Sequence, residues 1–108
     1  MPGTKLSETA VLSDKSKTFV FFNEGHTLGN ALRHVAAQHP NTEFAGYTVP
    51  HPSDPKMNLR LQTRKVAGSS SAVAANDVLR ETAQTLKSMC EHIKASFGQS
   101  NAEFDGSK

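Results

Sequence analysis

The sequence predicts an α+β fold: a small antiparallel sheet with two helices packed on one face, the second helix long. In the segment Met57 to Arg64, apolar Met57, Leu59 and Leu61 alternate with polar residues, which is typical of an antiparallel strand with one solvated face. Aromatic and β-branched residues crowd Thr18 to Phe22, which predicts another strand. Apolar residues recur at spacings of three and four over about five turns before Phe97, which predicts the long helix.

The chain opens with a polar segment, residues 1 to about 15, which predicts a mobile tail or an added edge strand. The first clear strand, Lys17 to Phe22, is apolar on both faces. Such a strand is expected where a helix covers one face and a partner or a loop covers the other.

A first helix is predicted to begin near Leu28, because the hydroxyl of Thr27 can cap an amide of the first turn. Pro40 ends this helix, since proline disfavours helical backbone in the preceding residue and lacks an amide N–H. Gly29 costs the first turn roughly 1 kcal/mol relative to alanine, which predicts that another backbone approaches closely there. One face of the helix is apolar and carries Leu28, Ala31, Leu32, Val35 and Ala36.

Two further strands are predicted around a proline-rich connector. Phe44 to Val49 has strand composition, and Pro50 to Pro55 holds three prolines that cannot donate to a ladder. In the strand that follows, Met57, Leu59 and Leu61 face one way and the intervening polar residues face the other.

The last helix is predicted to follow a flexible loop at Gly68 to Ser71 and to start with Asn76 or Asp77 as its N-cap. Gly98 is the expected C-cap, which leaves a frayed polar end. The apolar stripe of this helix is longer than a three-stranded sheet needs, so it predicts packing against another chain. The stripe consists of Leu79, Thr82, Ala83, Leu86, Met89, Cys90, Ile93 and Phe97.

The composition fits one small domain that relies on a partner. The chain has 108 residues, 36% apolar residues and no tryptophan, and its mean hydropathy is −0.48, so its own core is lean. The net charge is +2 and the basic residues are dispersed, which does not call for nucleic acid. The single cysteine, Cys90, cannot form an internal disulfide, and no apolar run is long enough for a membrane span. A reducing intracellular compartment is expected.

The histidines and the single cysteine could carry chemistry, but their spacing favours structural roles. His34 and His39 are five residues apart and do not stack on a helix, so a hydrogen-bonded role is favoured over metal binding for the five histidines. These are His26, His34, His39, His51 and His92. His92 and Cys90 diverge around one helix, and Cys90 is interpreted as a packing residue.

Neither a phosphate site nor a nucleic-acid surface is supported. Gly25 to Asn30 leads into a helix N-terminus but lacks the Walker lysine and glycine spacing. Arg60 and Arg64 lie on a polar strand face without interleaved aromatic residues, so a solvated or protein-facing strand is the default.

The segment Gly25 to Arg33 resembles the signature that opens the first helix of the alpha-like subunits of multisubunit RNA polymerases. That family runs from the bacterial alpha amino-terminal domain and archaeal subunit L to eukaryotic relatives. The matching signature residues are Gly25, His26, Thr27, Leu28, Gly29, Asn30 and Arg33.

The resemblance extends over about residues 17–97. Phe44 to Thr63 is similar to the eukaryotic small alpha-like subunits. His51 to Ser53, Lys56 to Arg64 and Met89 to His92 are more similar to the small subunit shared by RNA polymerases I and III than to its polymerase II counterpart.

The resemblance implies a non-catalytic subunit without cofactor or metal, which pairs its two helices with those of a larger alpha-like subunit. The pair would form an assembly platform for the second-largest catalytic subunit and small zinc-bearing subunits in the nucleus, in both nucleolus and nucleoplasm. No specific nucleic acid, membrane or small-molecule substrate is expected. The predicted dimer interface comprises Leu28, Gly29, Ala31, Leu32, Val35, Leu79, Ala83, Leu86, Cys90, Ile93 and Phe97.

This interpretation divides the chain into a flexible tail at 1–15, a dimerisation domain at 16–97 and a second tail at 98–108. Two alternatives stay open: the equivalent polymerase II subunit and a stand-alone homodimeric protein-binding module. A small enzyme is less supported, because the motifs supply no nucleophile, base and orienting group together.

Overall fold

The structure is a computed structural model that describes residues 5–13, 15–65 and 73–106. Four strands form one antiparallel sheet in the order β1-β2-β4-β3, and two helices pack on one face of it, which confirms the predicted fold class. The elements are β1 (Lys5–Ser13), β2 (Ser16–Phe22), α1 (His26–Ala37), β3 (Thr42–Thr48), β4 (Lys56–Thr63) and α2 (Ala75–Gly106). The predicted loop at Gly68 to Ser71 lies outside the described residues.

The core is built on the central strand β4. Met57, Leu59 and Leu61 have no exposed surface and face the helices, while the alternate polar residues are partly exposed on the opposite face. Leu59 lies directly across from Phe19 of β2, which is also buried. The alternation in the sequence therefore predicted this strand and its buried face correctly.

Strand β1 occupies part of the segment for which the sequence left two possibilities. Lys5–Ser13 is an edge strand that pairs antiparallel with β2, with Lys5 across from Phe22 and Thr9 across from Thr18. The division of the chain into two tails around a domain at 16–97 stays a prediction.

Helix α1 begins two residues earlier than the capping pattern predicted. It starts at His26, with Gly25 at the N-cap position and no side-chain cap, so the assignment of Thr27 as N-cap was wrong. The carbonyl of Gly25 accepts the N–H of Gly29 at 2.9 Å and thereby opens the helical ladder. The backbone of Gly25 is non-helical, as a residue that flanks a helix requires.

Helix α2 is longer than predicted at both ends. It begins at Ala75 and continues through Gly98 to Gly106, so Gly98 is not a C-cap and the end is not frayed over this range. A glycine inside a helix costs only about 1 kcal/mol and does not stop it when the flanking residues are good helix formers. The 32 residues span about 48 Å at 1.5 Å per residue.

The close approach at Gly29 is real, but side chains of the same chain make it. A Cβ at Gly29 would lie 2.5 Å from Cδ2 of Tyr47 and 2.9 Å from Cγ of Met57. The expectation of a neighbouring backbone was wrong: Gly29 is buried where α1 rests on β3 and β4.

We therefore predict opposite effects of Gly→Ala at two helical glycines. Gly29→Ala should destabilise the fold by about 1 to 3 kcal/mol, because Tyr47 must move. Gly98→Ala should stabilise it by roughly 0.5 to 1 kcal/mol, since a Cβ there meets nothing within 4 Å. Urea unfolding of both variants followed by circular dichroism checks this, and equal free-energy changes would contradict it.

Candidate protein-binding surface

Helix α2 is held by the domain only near its beginning. Ala75, Val78 and Thr82 are its buried residues, whereas every residue from 87 to 106 is exposed. That exposed part is roughly 30 Å of helix. It gives the chain a radius of gyration of 17.0 Å, against about 13 Å for a compact chain of this length.

A hydrogen bond joins the loop after α1 to the second turn of α2. The amide of Asn41 donates to Nδ1 of His39 at 3.0 Å, so the proton of the imidazole sits on Nε2. That Nε2 donates to Oε2 of Glu81 at 2.8 Å. The imidazole therefore bridges the loop after α1 and α2, beside the buried Thr82.

An open apolar groove of about 580 Å³ lies between α2 on one side and β2 with α1 on the other. Phe21 and Leu28 form one wall, and the buried side chains Phe19 and Leu32 lie at its base. The opposite wall belongs to α2 and consists of Leu79, Ala83, Leu86 and Cys90, with Arg80 and Lys87 beside them.

The apolar wall continues along the projecting part of α2. Ile93 and Phe97 are 64% and 70% exposed, and Met89 and Phe104 are 42% and 61% exposed. We call the line formed by Leu79, Ala83, Leu86, Cys90, Ile93 and Phe97 the α2 stripe. Large apolar side chains exposed in a continuous line mark a surface that another molecule covers.

The predicted interface residues on α2 and those on α1 differ in how exposed they are. All six on α2 form the α2 stripe, and Leu28 and Ala31 on α1 are partly exposed. Gly29 and Val35 are buried under the chain's own elements, and their place in the interface stays a prediction. Leu32 is only 4% exposed and supports the groove from below. Helix α1 is short, and most of its apolar face is used by its own sheet.

The signature residues lock α1 onto the sheet. His26 Nδ1 and the hydroxyl of Tyr47 are 2.9 Å apart and share a hydrogen bond, with the two rings edge to face. Gly29 leaves room for the same tyrosine ring. On the outer side, Arg33 donates to Oδ1 of Asn30 through Nη2 at 2.7 Å. Tyr47 lies in the segment Phe44 to Thr63 that resembles the family, but no spacing pattern links it to His26 or Gly29, because those residues belong to another element.

Four of the five histidines have hydrogen-bond partners within the chain. Those that the structure pairs are His26 with Tyr47, His34 with Gln38, His39 with Glu81, and His51 with Ser53. Within residues 5–13, 15–65 and 73–106, no three side chains of His, Cys, Asp or Glu are grouped as metal ligands. No helix in the described part of the chain has the length and apolar character of a membrane span.

Sequence reasoning missed two features of this surface. Phe21 was assigned to a strand without a functional role, yet it lines the groove. Phe104 extends the exposed apolar line beyond Gly98, where the helix was expected to stop. The strict spacing of three and four before Gly98 could have been followed to Phe104.

Comparison with known proteins identifies one family. Residues 16–96 match the family described as the RNA polymerase Rpb3/Rpb11 dimerisation domain. The chain is 42% identical over 93 residues to the DNA-directed RNA polymerases I and III subunit RPAC2 of Drosophila melanogaster, covering 86% of this chain and 82% of the relative. It is 42% identical over 97 residues to the protein of the same name from Schizosaccharomyces pombe, covering 90% of this chain and 68% of the relative.

The fold is shared more widely than the sequence. The crystal structure of DNA-directed RNA polymerase subunit L from Thermoplasma acidophilum superimposes with a TM-score of 0.76 at 13% identity. The superposition covers 97% of this chain and 96% of the archaeal one. At that identity the likeness concerns the fold.

The exposure of the α2 stripe predicts the reactivity of the chain's single thiol. Cys90 is exposed in the folded chain, so a thiol reagent should modify it at a rate close to that of the urea-unfolded chain. A Val78→Cys, Cys90→Ala variant is the control, because position 78 has no exposed surface and its thiol should be protected. Protection of Cys90 in the monomeric chain would contradict the open groove.

Proposed function

The chain belongs to the RNA polymerase Rpb3/Rpb11 dimerisation-domain family, and on that premise we propose that it is the small alpha-like subunit shared by RNA polymerases I and III. In this role it pairs with a larger alpha-like subunit and contributes to the platform on which the catalytic subunits assemble. The observation that carries the proposal is the α2 stripe, an apolar surface that its own domain covers only in part, at Leu79 and Leu86.

Exposing the apolar face of α2 to water is unfavourable in free energy. An isolated helix is marginal in water, and most helical stability in proteins comes from packing an apolar face. Burying apolar area is worth about 25 cal/mol per Å², and Ile93, Phe97 and the groove wall supply such area. A partner helix laid along the stripe would fill the groove and cover the projecting half of α2 together.

The subunit is non-catalytic, and nucleotidyl transfer belongs to the large subunits of the polymerase. The proposed contact residues are apolar, and His26, His39 and His51 are engaged in hydrogen bonds within the chain. We propose the larger alpha-like subunit as the direct partner, with the second-largest catalytic subunit and the small zinc-bearing subunits binding to the resulting pair.

Polymerases I and III are favoured over polymerase II by the relatives. The relatives from Drosophila melanogaster and Schizosaccharomyces pombe carry polymerase I and III in their names. A subunit of these polymerases is nuclear, and we propose that this one divides between nucleolus and nucleoplasm.

The first test targets the projecting half of α2. Phe97→Asp should raise the Kd for the larger alpha-like subunit at least about tenfold, because it places a carboxylate in the apolar contact. The melting temperature of the chain alone should stay within a few degrees of the wild type, since Phe97 is 70% exposed. Co-purification and titration calorimetry measure binding to the partner, and a thermal melt of the chain alone gives the melting temperature.

Ala95→Asp is the matched control, because it puts the same residue on the opposite, exposed side of α2. It should bind the partner like the wild type. Unchanged binding by Phe97→Asp, or an equal loss in the control, would contradict the proposed interface. A stable homodimer that excludes the larger subunit would favour the stand-alone binding module instead.

The second test separates an assembly subunit from a nucleic-acid binder. We expect labelled DNA and RNA oligonucleotides to bind the chain only nonspecifically, with affinity that falls steeply as salt rises. A stoichiometric larger alpha-like subunit should raise the melting temperature, because it binds only the folded chain. Sequence-specific, salt-resistant binding in fluorescence anisotropy, or a melt that the partner leaves unchanged, would overturn the assembly role.

A further inference from the structure

The α2 stripe follows a repeat of seven residues. Its members alternate by four and three positions: Leu79, Ala83, Leu86, Cys90, Ile93 and Phe97. Phe104 continues the same repeat beyond a serine at position 100. A mean spacing of 3.5 residues keeps an apolar line facing one neighbouring helix over several turns, which is the pattern of helix pairs in coiled coils.

The basic residues of α2 follow the same period. Arg80, Lys87 and Lys94 are all the lysines and arginines between Ala75 and Gly106, and each directly follows a stripe residue. Seven residues correspond to two turns, so the three side chains form one nearly straight row along a single flank of the stripe. The acidic residues of α2 lie outside this row.

The row lies on the flank of the stripe that faces away from the chain's own domain. Val78 and Thr82, which are buried against the domain, occupy the other flank. Arg80 and Lys87 border the groove and are exposed, as is Lys94. A helix seated on the stripe would therefore bring its own flanking side chains alongside these cations.

Acidic residues near the row neutralise only part of its positive charge. Arg80 donates to Oδ1 of Asp77 at 3.1 Å, an exposed pair within the helix. Glu91 lies one turn from both Lys87 and Lys94, but the described part of the chain shows no ion pair between them. The flank is thus positively charged along most of the length of the stripe.

We propose that the partner helix that covers the α2 stripe carries a matching row of acidic residues, and that Arg80, Lys87 and Lys94 select it. This rests on the proposed pairing with a larger alpha-like subunit and names the chemistry of the partner surface. Charged residues that flank an apolar seam set partner choice and orientation in helix pairs. The acidic side chains recur every seven residues, whichever direction the partner helix runs.

A second copy of the chain offers no such complement. In an antiparallel pair of α2 helices the basic row would lie against itself, and like charges across an interface disfavour it. In a parallel pair the row would face Ala75, Thr82 and Met89, which carry no charge. The row therefore acts against self-association as well as for a different partner.

Two triple variants with the same change in net charge test the role of the row. The row variant combines Arg80→Gln, Lys87→Gln and Lys94→Gln, which remove three cations. The control variant combines Gln84→Glu, Ala95→Glu and Gln99→Glu, which add three anions on the exposed face away from the stripe. With the co-expressed larger alpha-like subunit, the row variant should bind about tenfold more weakly at low salt, with a difference that shrinks as salt rises. The control variant should bind like the wild type.

A second experiment tests the preference for an acidic partner helix even if the larger alpha-like subunit is not the partner. The full chain is co-expressed with a soluble carrier protein bearing one of two designed helices. Both have leucine at the seam positions, and they differ only in whether the flanking positions carry glutamate or lysine. The glutamate helix should recover several-fold more chain, and the row variant should lose that preference.

Each other outcome has a distinct meaning. Equal recovery with both helices, or recovery with neither, overturns the acidic-partner inference and leaves the polymerase role standing if the larger subunit still binds. A preference for the glutamate helix without binding to the larger subunit keeps the inference and rejects the proposed function. A wild-type homodimer unchanged in the row variant would assign the stripe to a second copy and overturn the proposal.

Discussion

The structure depends on a mismatch between the sheet and the helix that lies on it. Strand β4 has eight residues and is about 26 Å long, whereas α2 has 32 residues and is about 48 Å long. The apolar face of the sheet is shared with α1, so α2 buries only its first turns. The rest of its apolar line has nothing of its own chain to pack on, and the need for another chain follows from that geometry.

Helix α1 differs from α2, because nearly all of its apolar face packs inside the domain. Gly29 lets the helix sit directly on Tyr47 and Met57, and the hydrogen bond of His26 to Tyr47 holds its first turn over β3. At the other end, His39 ties the loop after α1 to Glu81. The most distinctive stretch of the sequence therefore mainly builds the base from which α2 projects, and it contributes Leu28 to the wall of the groove.

Apolar and charged patterns on α2 have different consequences for recognition. The stripe supplies area, which stabilises any helix pair and distinguishes little between partners of similar shape. Charges on its flank discriminate, because a wrong partner leaves like charges together or cations without complement. A chain with a net charge of only +2 can still be selective when every lysine and arginine of the helix proposed to bind the partner lies on one side.

Five of the six elements and the family resemblance followed from the sequence, which left β1 open between a tail and an edge strand. The alternation at Met57 to Arg64 and the spacing on α2 settle which residues share a face, because side-chain direction follows directly from strand and helix geometry. What covers each face depends on the tertiary packing. It placed Val35 in the core and left Phe97 in solvent, although both belong to equally regular apolar stripes. It also gave Gly29 a neighbour, Tyr47, from another element, and carried α2 past Gly98. Periodicity is a local property, whereas burial depends on how much surface the rest of the fold provides, and no spacing along the chain contains that information.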